Sequence, residues 1–167
     1  MILRAGRAID APRVAELLAE RLPDTCYAGR DEVDVTVARR LFAQAAQRHA
    51  GVHDGSTFFM VAVDDDDAIA AFMLGSLGRT YGVGRKLCAQ DHYLLGRADC
   101  PPRVLVELFE HYLTWAKLNP RVIEIGASWS DAIPGSQAMG AIYERRGFQL
   151  CAQTYRLTRA SDEKAAA

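Results

Sequence analysis

The cysteines, histidines and serines of this chain, which could bind a metal or act as nucleophiles, do not have the spacings of common metal sites or nucleophile motifs. No two cysteines are closer than twelve positions, so there is no Cys-x-x-Cys pair for a zinc ribbon or a redox motif. His49 and His53 are four positions apart, which is a metal-like spacing, but Gly51 lies between them and no third ligand is evident. No Gly-x-Ser-x-Gly segment indicates a serine nucleophile. We therefore predict no metal site, and free thiols at Cys26, Cys88, Cys100 and Cys151.

Two loop segments have compositions that are worth testing against ligand-binding motifs. The four aspartates of 64–67 have the charge of a calcium loop but lack the later glycine and glutamate that such a loop requires. The segment 78–86 is rich in glycine and basic residues, yet it lacks the Gly-Lys-Ser/Thr ending of a phosphate loop. We predict a solvated hairpin turn at 64–67. At 78–86 we predict a long hairpin tip, with contact to an anionic ligand as the alternative.

The composition is that of a globular protein without a strongly charged partner. Twenty basic and twenty-one acidic residues give a formal charge of −1, so no global field attracts nucleic acid or anionic lipid. The longest apolar run covers 68–74, far short of the roughly 20 residues that a membrane span needs. Charged residues interrupt the first ten positions, where a secretory signal would be apolar. We expect a cytoplasmic protein that binds neither nucleic acid nor membranes.

The first half of the chain predicts a strand, two helices and a hairpin. A short strand is expected at 2–5, followed by a helix that Asp10 caps and Pro23 ends. A second helix is expected over 33–48, and two strands over 58–63 and 68–77. The predicted inner stripe of the second helix is Val33, Val37, Leu41 and Ala45.

The second half predicts alternating strands and helices. A strand is expected over 87–95, a helix that begins at 101–102 and ends at 119–120, and a strand over 121–129. A last helix follows from 134–136 to Arg146, with Gly147 at the usual helix-ending position. One or two strands are expected within 148–157. The order indicates one α/β (α+β) domain over 1–160, with a mixed sheet between helices and a frayed tail at 161–167.

The residues of 141–148 read Ala-Ile-Tyr-Glu-Arg-Arg-Gly-Phe. Together with the order of elements, this run resembles the GNAT superfamily of N-acetyltransferases, whose last helix commonly reads Asn-x-x-Ala-x-x-Leu-Tyr-Glu-Lys-x-Gly-Phe. The resemblance covers nearly the whole chain, and 143–148 is its most specific part. It implies a GNAT-like, mostly antiparallel central sheet of six to seven strands, flanked by about four helices.

The resemblance also implies acetyl-CoA as the acyl donor. In the family, an Arg/Gln-x-x-Gly-x-Gly/Ala loop enters a helix, and its free N–H groups hold the pyrophosphate. The corresponding stretch here, 97–103, lacks the glycines and contains two prolines, which have no N–H group. We expect the side chains of Arg97 and Arg103 to replace these contacts. Ser136, where many members have asparagine, is the third expected contact.

The family's tyrosine in the last helix lies near the coenzyme sulfur and protonates the departing thiolate, a role that the resemblance assigns to Tyr143. The alternative is a packed aromatic side chain. A base must also remove a proton from the amine, and the candidates are Asp91 and Glu124. Alternation places Asp91 and His92 on opposite faces of their strand, and His92 is interpreted as an ordinary strand histidine.

The resemblance thus implies an N-acetyltransferase that acts on an amine of a small molecule or a protein. The alternative is a GNAT-fold binding or scaffolding protein that has lost coenzyme A binding. The sequence names no acceptor and leaves a homodimer open.

Overall fold

A computed structural model of the chain describes residues 1–130, 133, 135–152 and 154–157, and its centre is a five-stranded sheet. The strands are β1 (Ile2–Ala5), β2 (Thr57–Val63), β3 (Ile69–Arg79), β4 (Leu87–Gly96) and β5 (Val122–Ile125). They lie in chain order. The first four are antiparallel, and β5 is parallel to β4. The predicted mixed fold with a mostly antiparallel sheet is confirmed.

Four helices cover the two faces of the sheet: α1 (Ala11–Arg21), α2 (Val35–Gln47), α3 (Pro102–Leu118) and α4 (Ala138–Arg145). Because side chains alternate along a strand, β2 contributes Phe59 and Val61 to a core under α1 and α2. The same strand contributes Phe58 and Ala62 to a second core under α3 and α4. The prediction of about four helices, on both faces, is confirmed.

Among the described residues the sheet has five strands, fewer than the six to seven predicted. The described residues of 148–157 form no strand, and Leu150 and Leu157 are exposed. An apolar alternation is enough to predict a strand, but the strand forms only where a neighbouring edge pairs with it. The predicted strand over 121–129 likewise ends at Ile125. Position 134, predicted to open the last helix, and the tail at 161–167 lie outside the described residues.

The second helix buries a different face from the one predicted. Val37 and Leu41 are 53% and 40% exposed, whereas Phe42 is fully buried and Ala38 and Ala45 nearly so. The ring of Phe42 packs with three aromatic rings of the sheet, and this contact turns the helix by one position from the expected stripe. The predicted stripe is therefore correct at Ala45 and wrong at Val37 and Leu41.

The two loop segments are hairpin connections, as predicted. An Asp64 carboxylate oxygen accepts hydrogen bonds from the N–H groups of Asp66 and Ala68 at 3.2 and 2.9 Å. Asp67 adopts a left-handed conformation with φ of 58°. The segment 78–86 joins β3 to β4 through a short 3-10 turn at 80–82.

Asp10 directly precedes α1, but its carboxylate does not cap that helix. It accepts hydrogen bonds from the Arg7 N–H at 2.7 Å and from the Arg4 guanidinium at 2.6 and 2.9 Å. Burial alone would raise the pKa of this carboxyl, but the hydrogen bonds from Arg4 and Arg7 outweigh burial and lower its pKa to about 2. Asp10 therefore fastens the end of β1 to the start of α1.

Asp10→Asn is expected to lower the free energy of unfolding at pH 7 by about 2 kcal/mol. A carboxyl whose pKa is lowered by folding stabilises the protein above its unfolded pKa and loses that effect as the pH falls through the folded value. The difference between variant and parent should therefore shrink between about pH 4 and pH 2. Urea unfolding across this range measures it, and a difference that does not depend on pH would contradict the ion-pair explanation.

Within the described ranges, no helix is both long enough and apolar enough to cross a bilayer. His, Cys, Asp and Glu side chains in the same ranges form no group of three or more that would hold a metal ion. The four cysteines are free thiols.

Candidate functional site

β4 and β5 run side by side over a short distance and then separate. Their parallel pairing joins Leu87 to Val122 and Ala89 to Ile125, and the Gly126 N–H donates to the Ala89 carbonyl at 2.8 Å. β4 continues to Gly96, while β5 ends at Ile125. In the described part of the chain, the edge of β4 beyond Ala89 therefore has no neighbouring strand. Such an edge offers backbone N–H and C=O groups to a ligand.

A β-bulge lies in β4 beside this opening. Leu74 of β3 is paired with Tyr93, but the next residue, Gly75, is paired with Asp91, so that His92 is the extra residue. Gly75 is required here because a Cβ atom would lie 2.8 Å from the ring of Tyr112. The bulge reverses the alternation of side chains at the point where β4 loses its neighbour.

The side chain of Asp91 bridges the separated strands. One carboxylate oxygen accepts a hydrogen bond from the Ser128 N–H at 3.0 Å, and the other accepts from the Ser128 hydroxyl at 3.0 Å. The Gln90 amide donates to the second oxygen at 3.2 Å. Asp91 is only 8% exposed, and burial raises its pKa, although the hydrogen bonds from Ser128 and Gln90 oppose that effect. Beyond the last backbone pairing of β4 with β5, the carboxylate of Asp91 thus connects β4 to the segment that follows β5.

Tyr143 of α4 reaches the same place from above the sheet. Its hydroxyl donates to the Ser128 carbonyl at 3.1 Å, and its ring packs against Phe109 and Phe148. Burial, together with the negative charge of Asp91, raises the pKa of Tyr143 well above its ordinary value. The hydroxyl is therefore held protonated at neutral pH. Tyr143, Ser128 and Asp91 form one hydrogen-bonded set.

Two residues of this region were missed by sequence reasoning about the site. Tyr112 is part of the predicted apolar face of its helix, but its hydroxyl donates to the Gly126 carbonyl at 2.9 Å. Ser128 is the centre of the set described above. No sequence signal identifies either, because Asp91 and Ser128 meet across 37 residues of chain through the separation of the two strands.

Arg97 lies in the loop before α3 and is held by two carboxylates. Its guanidinium is 2.9 Å from Asp64 and 3.1 Å from Asp99, and these contacts join the 64–67 turn to this loop. The Arg97 N–H donates to the Ala70 carbonyl, and its carbonyl accepts from the Cys100 N–H. Any contact of Arg97 with a phosphate would compete with both aspartates.

The start of α3 has few groups for binding a diphosphate. Pro101 and Pro102 occupy the first positions and have no N–H group. Arg103 supplies the first N–H of the helix, and its side chain is exposed. The seventeen-residue helix still directs the positive end of its dipole at this point.

The other two predicted site residues lie apart from Tyr143. The Ser136 hydroxyl donates to the Ser130 carbonyl in the segment before α4. Glu124 of β5 is exposed and is paired in register with Cys88 of β4. The structure thus brings together Asp91 and Tyr143, whereas Arg97 follows β4, Arg103 lies in the first turn of α3, Ser136 precedes α4 and Glu124 lies in β5.

These residues fit acetyl-CoA unequally along its length. The open edge of β4 suits the amide-containing arm of the molecule, since unpaired strand groups bind amides readily. The diphosphate would meet Arg103 and the helix dipole, with the carboxylate of Asp99 close by in the loop. We therefore expect the open edge of β4 to bind the amide-containing arm of acetyl-CoA more strongly than the start of α3 binds the diphosphate.

Several solved proteins share the fold. A variant of the BH1408 protein from Bacillus halodurans has a TM-score of 0.70 and 19% identity, over 96% of this chain and 100% of that chain. A ribosomal-protein-alanine N-acetyltransferase from Brucella melitensis has a TM-score of 0.61 and 13% identity, over 95% and 100%. An acetyltransferase from Trypanosoma brucei has a TM-score of 0.66 and 11% identity, over 95% and 99%.

No protein-family model matches the chain, and no curated protein sequence matches it. Likeness at such low identity establishes the fold and leaves the activity to be argued from the site.

Proposed function

We propose that this chain, which has the GNAT fold, is an N-acetyltransferase that moves an acetyl group from acetyl-CoA to an amine of a small molecule or a protein. The proposal is carried by the hydrogen-bonded set of Tyr143, Ser128 and Asp91 at the point where β4 and β5 separate. Acetyl transfer from a thioester needs a proton donor for the leaving sulfur and a base for the amine. The set offers the donor beside an open strand edge.

Tyr143 is the proposed proton donor. The thioester supplies an activated acetyl group, and its sulfur leaves more easily as a thiol than as a thiolate. Because burial and the charge of Asp91 raise the pKa of Tyr143, the hydroxyl carries its proton at neutral pH, but the same shift makes giving up that proton less favourable. Its ring is fixed by Phe109 and Phe148, so the hydroxyl has a defined position.

The proposed coenzyme contacts are Arg97, Arg103 and Ser136. Arg103 is exposed at the start of α3, which leaves its guanidinium accessible to a phosphate. Arg97 would have to share its guanidinium with Asp64 and Asp99. Arg103 is therefore expected to contribute more to binding than Arg97.

Asp91 and Glu124 are the base candidates on β4 and β5. Asp91 is close to Tyr143, and burial raises its pKa, which makes its carboxylate a better proton acceptor than an exposed one. Its oxygens are already bonded to Ser128 and Gln90, however, and those bonds oppose protonation. Glu124 is exposed and accessible to an acceptor.

Acetyl-CoA is expected to bind, but more weakly than to a relative with an intact glycine loop. The two prolines remove pyrophosphate donors, and each hydrogen bond to a charged group contributes about 1.5–3 kcal/mol. Calorimetry and thermal unfolding with acetyl-CoA measure the binding, and release of the free thiol in the presence of small amines measures turnover. No heat and no stabilisation at millimolar acetyl-CoA would overturn the proposal.

Substitutions in the loop provide the control for that titration. Arg103→Ala is expected to weaken acetyl-CoA binding about fivefold at low salt and less at high salt. Arg97→Ala should weaken binding less, because two carboxylates already neutralise its charge. A pantetheine analogue without phosphates should bind all three proteins equally. Equal binding of acetyl-CoA to all three would place the pyrophosphate elsewhere, for which the 82–86 tip is the next candidate.

The second candidate function is a GNAT-fold binding or scaffolding protein. The observation that favours it is the loop itself, in which Pro101 and Pro102 replace donors and Asp64 and Asp99 hold the arginine. The same titration separates the two functions before any acceptor is known. A cytoplasmic location and an amine acceptor follow from the first function and are proposed with it.

A further inference from the structure

We infer that the hydrogen bond between His49 and the Phe59 N–H is an acid-sensitive switch. The neutral imidazole holds the end of α2 on the edge of β2, and protonation of the imidazole releases that edge. The switch belongs to the fold and does not depend on the proposed activity. His49 is the first residue of the pair 49 and 53, whose metal-like spacing builds no metal site among the described residues.

The edge of β2 that faces β1 is paired with two separate stretches of backbone. The first is β1, which Gly6 extends by one residue, since its N–H donates to the Phe59 carbonyl at 2.9 Å. The second is the segment after α2. The Thr57 N–H donates to the Arg48 carbonyl at 3.0 Å, and the Thr57 carbonyl accepts from the Ala50 N–H at 2.9 Å. The Phe59 N–H lies between the two stretches.

The side chain of His49 fills the gap between these two stretches. The Phe59 N–H donates to Nδ1 of His49 at 2.9 Å. A backbone N–H can only donate, so Nδ1 carries the lone pair and the proton of the neutral ring is on Nε2. Phe59 is completely buried, and its N–H therefore needs an acceptor inside the protein. The imidazole supplies that acceptor in one defined tautomer.

Protonation of the imidazole removes this acceptor. An imidazolium carries an N–H group at both nitrogens and can accept no hydrogen bond. The new Nδ1–H of His49 would point at the Phe59 N–H, so that two donors would face each other across a hydrogen-bond distance. The ring and the strand edge must then separate, and the buried N–H loses its partner unless water reaches it. The protonated form therefore belongs to the open state of the switch.

The surroundings of the ring also favour its neutral form. The His49 ring is half-buried, and its centroid lies 5.9 Å from that of Phe58, whose ring contacts Tyr112 and Trp115 of α3. Burial beside these aromatic rings lowers the pKa of His49 below its ordinary value of about 6.5. Both the hydrogen bond and the burial thus oppose protonation while the switch is closed.

The charged groups of the elements around His49 are paired or exposed. In the segment that follows it, Asp54 is ion-paired with Arg79 at 2.9 Å. Beyond the end of β1, Arg7 is ion-paired with Asp10 at 3.5 Å. Residues 57–60 of β2 carry no charge. Further titratable residues of α3 and of the 48–56 segment are exposed: Arg48, His53, His111 and Lys117. Burial, and not a neighbouring charge, therefore sets the protonation of His49.

The part of the chain that opens is short, because the rest of the 48–56 segment has contacts that do not titrate. The Leu77 N–H of β3 donates to the Ser56 carbonyl at 2.8 Å, and the Leu77 carbonyl accepts from the Gly55 N–H at 2.9 Å. The side-chain amide of the buried Asn119 donates to the Val52 carbonyl at 3.0 Å. We therefore expect acid to free the 48–50 stretch from β2 while 52–56 stays attached. The opened edge presents unpaired backbone groups at 57–59.

The test measures hydrogen exchange of the Thr57 and Phe59 amides between pH 7.5 and pH 5, expressed as protection factors. A histidine whose pKa is lowered by folding stabilises the closed state above about pH 6.5 and loses that effect as the pH falls towards the folded value. In the parent, protection should therefore fall by up to about tenfold for each pH unit below 6.5. His49→Asn keeps an acceptor oxygen near the position of Nδ1 but does not titrate, so its protection should stay constant. His53→Asn, which changes the exposed histidine of the same segment, is the control and should behave like the parent.

A second measurement uses the parent protein alone and needs no folded variant. Nitrogen-15 spectra at pH 7.5 should show His49 protonated at Nε2 and unprotonated at Nδ1. On acidification, His49 should titrate at a lower pH than His53, together with the signal of the Phe59 amide. A proton on Nδ1 at pH 7.5, titration of both histidines at the same pH, or equal acid sensitivity in the parent and His49→Asn would overturn the inference. Each of these results would leave the proposed acetyltransferase activity unaffected.

Discussion

Tyr143→Phe is expected to lower the rate of acetyl transfer about 10³-fold while the protein remains folded. The substitution removes the hydroxyl that donates to the Ser128 carbonyl and keeps the ring between Phe109 and Phe148. The leaving sulfur then has no positioned acid. The lost hydrogen bond should reduce the free energy of unfolding by about 1.5 kcal/mol or less. Thiol release at saturating acetyl-CoA and urea unfolding measure the two effects.

Tyr112→Phe is the matched control for this substitution. Its hydroxyl donates to the Gly126 carbonyl only a short distance along the same segment, and its ring also packs against Phe109. Both variants remove one buried hydroxyl from one carbonyl, so their effects on stability should be similar. Only Tyr143→Phe should affect turnover strongly. Equal rates for the two variants would assign Tyr143 to packing alone.

Local patterns in the sequence were sufficient to predict the helix that carries Tyr143, whereas the role of Tyr143 came from the resemblance and stays a prediction. The Tyr-Glu-Arg-Arg-Gly-Phe run combines a helix end with a following apolar residue, and α4 ends at Arg145 with Gly147 at a φ of 84°. The role of Asp91 as a bridge could not be predicted in the same way. It depends on the separation of β4 from β5, which is a property of the sheet.

The environments of His92 and Arg97 likewise depend on the folded sheet and not on local sequence patterns. Alternation along a strand predicts opposite faces for Asp91 and His92, and the structure has them so, but the bulge that exposes His92 leaves no mark in a single sequence. Arg97 was predicted to hold a phosphate because the resemblance matches it to the arginine of the family's coenzyme loop. Its ion pair with Asp64 spans 33 residues of chain, and only the folded hairpin brings the two together.

Helices and hairpins were predicted more successfully than the end of the chain. The period of apolar residues in α3 is continuous over its whole length, and the 64–67 turn joins two strands that are consecutive in the sequence and pair with each other. The segment 148–157 has a strand-like pattern without a pairing partner among the described residues. A pairing partner is a tertiary property, and the pattern of one segment cannot supply it.

Phe42→Ala is expected to lower the free energy of unfolding by about 3–5 kcal/mol, the usual cost of removing a fully buried aromatic ring. The ring lies 5.2 Å from that of Phe72 and 5.7 Å from that of Phe59, and it is completely buried. Its removal leaves a cavity between α2 and the sheet. Urea unfolding followed by circular dichroism measures the change, and the milder Phe42→Leu keeps the test possible if the alanine variant does not fold.

The control variants are on the face that the sequence pattern predicted to be inside. Val37→Ala and Leu41→Ala remove side chains that are 53% and 40% exposed, and each should cost less than about 1 kcal/mol. Both stripes have helical spacing, and α2 is apolar around much of its circumference, so periodicity alone could not choose between them. The aromatic rings of the sheet select the stripe that contains Phe42. A larger cost at Leu41 than at Phe42 would mean that the helix is rotated back to the predicted face.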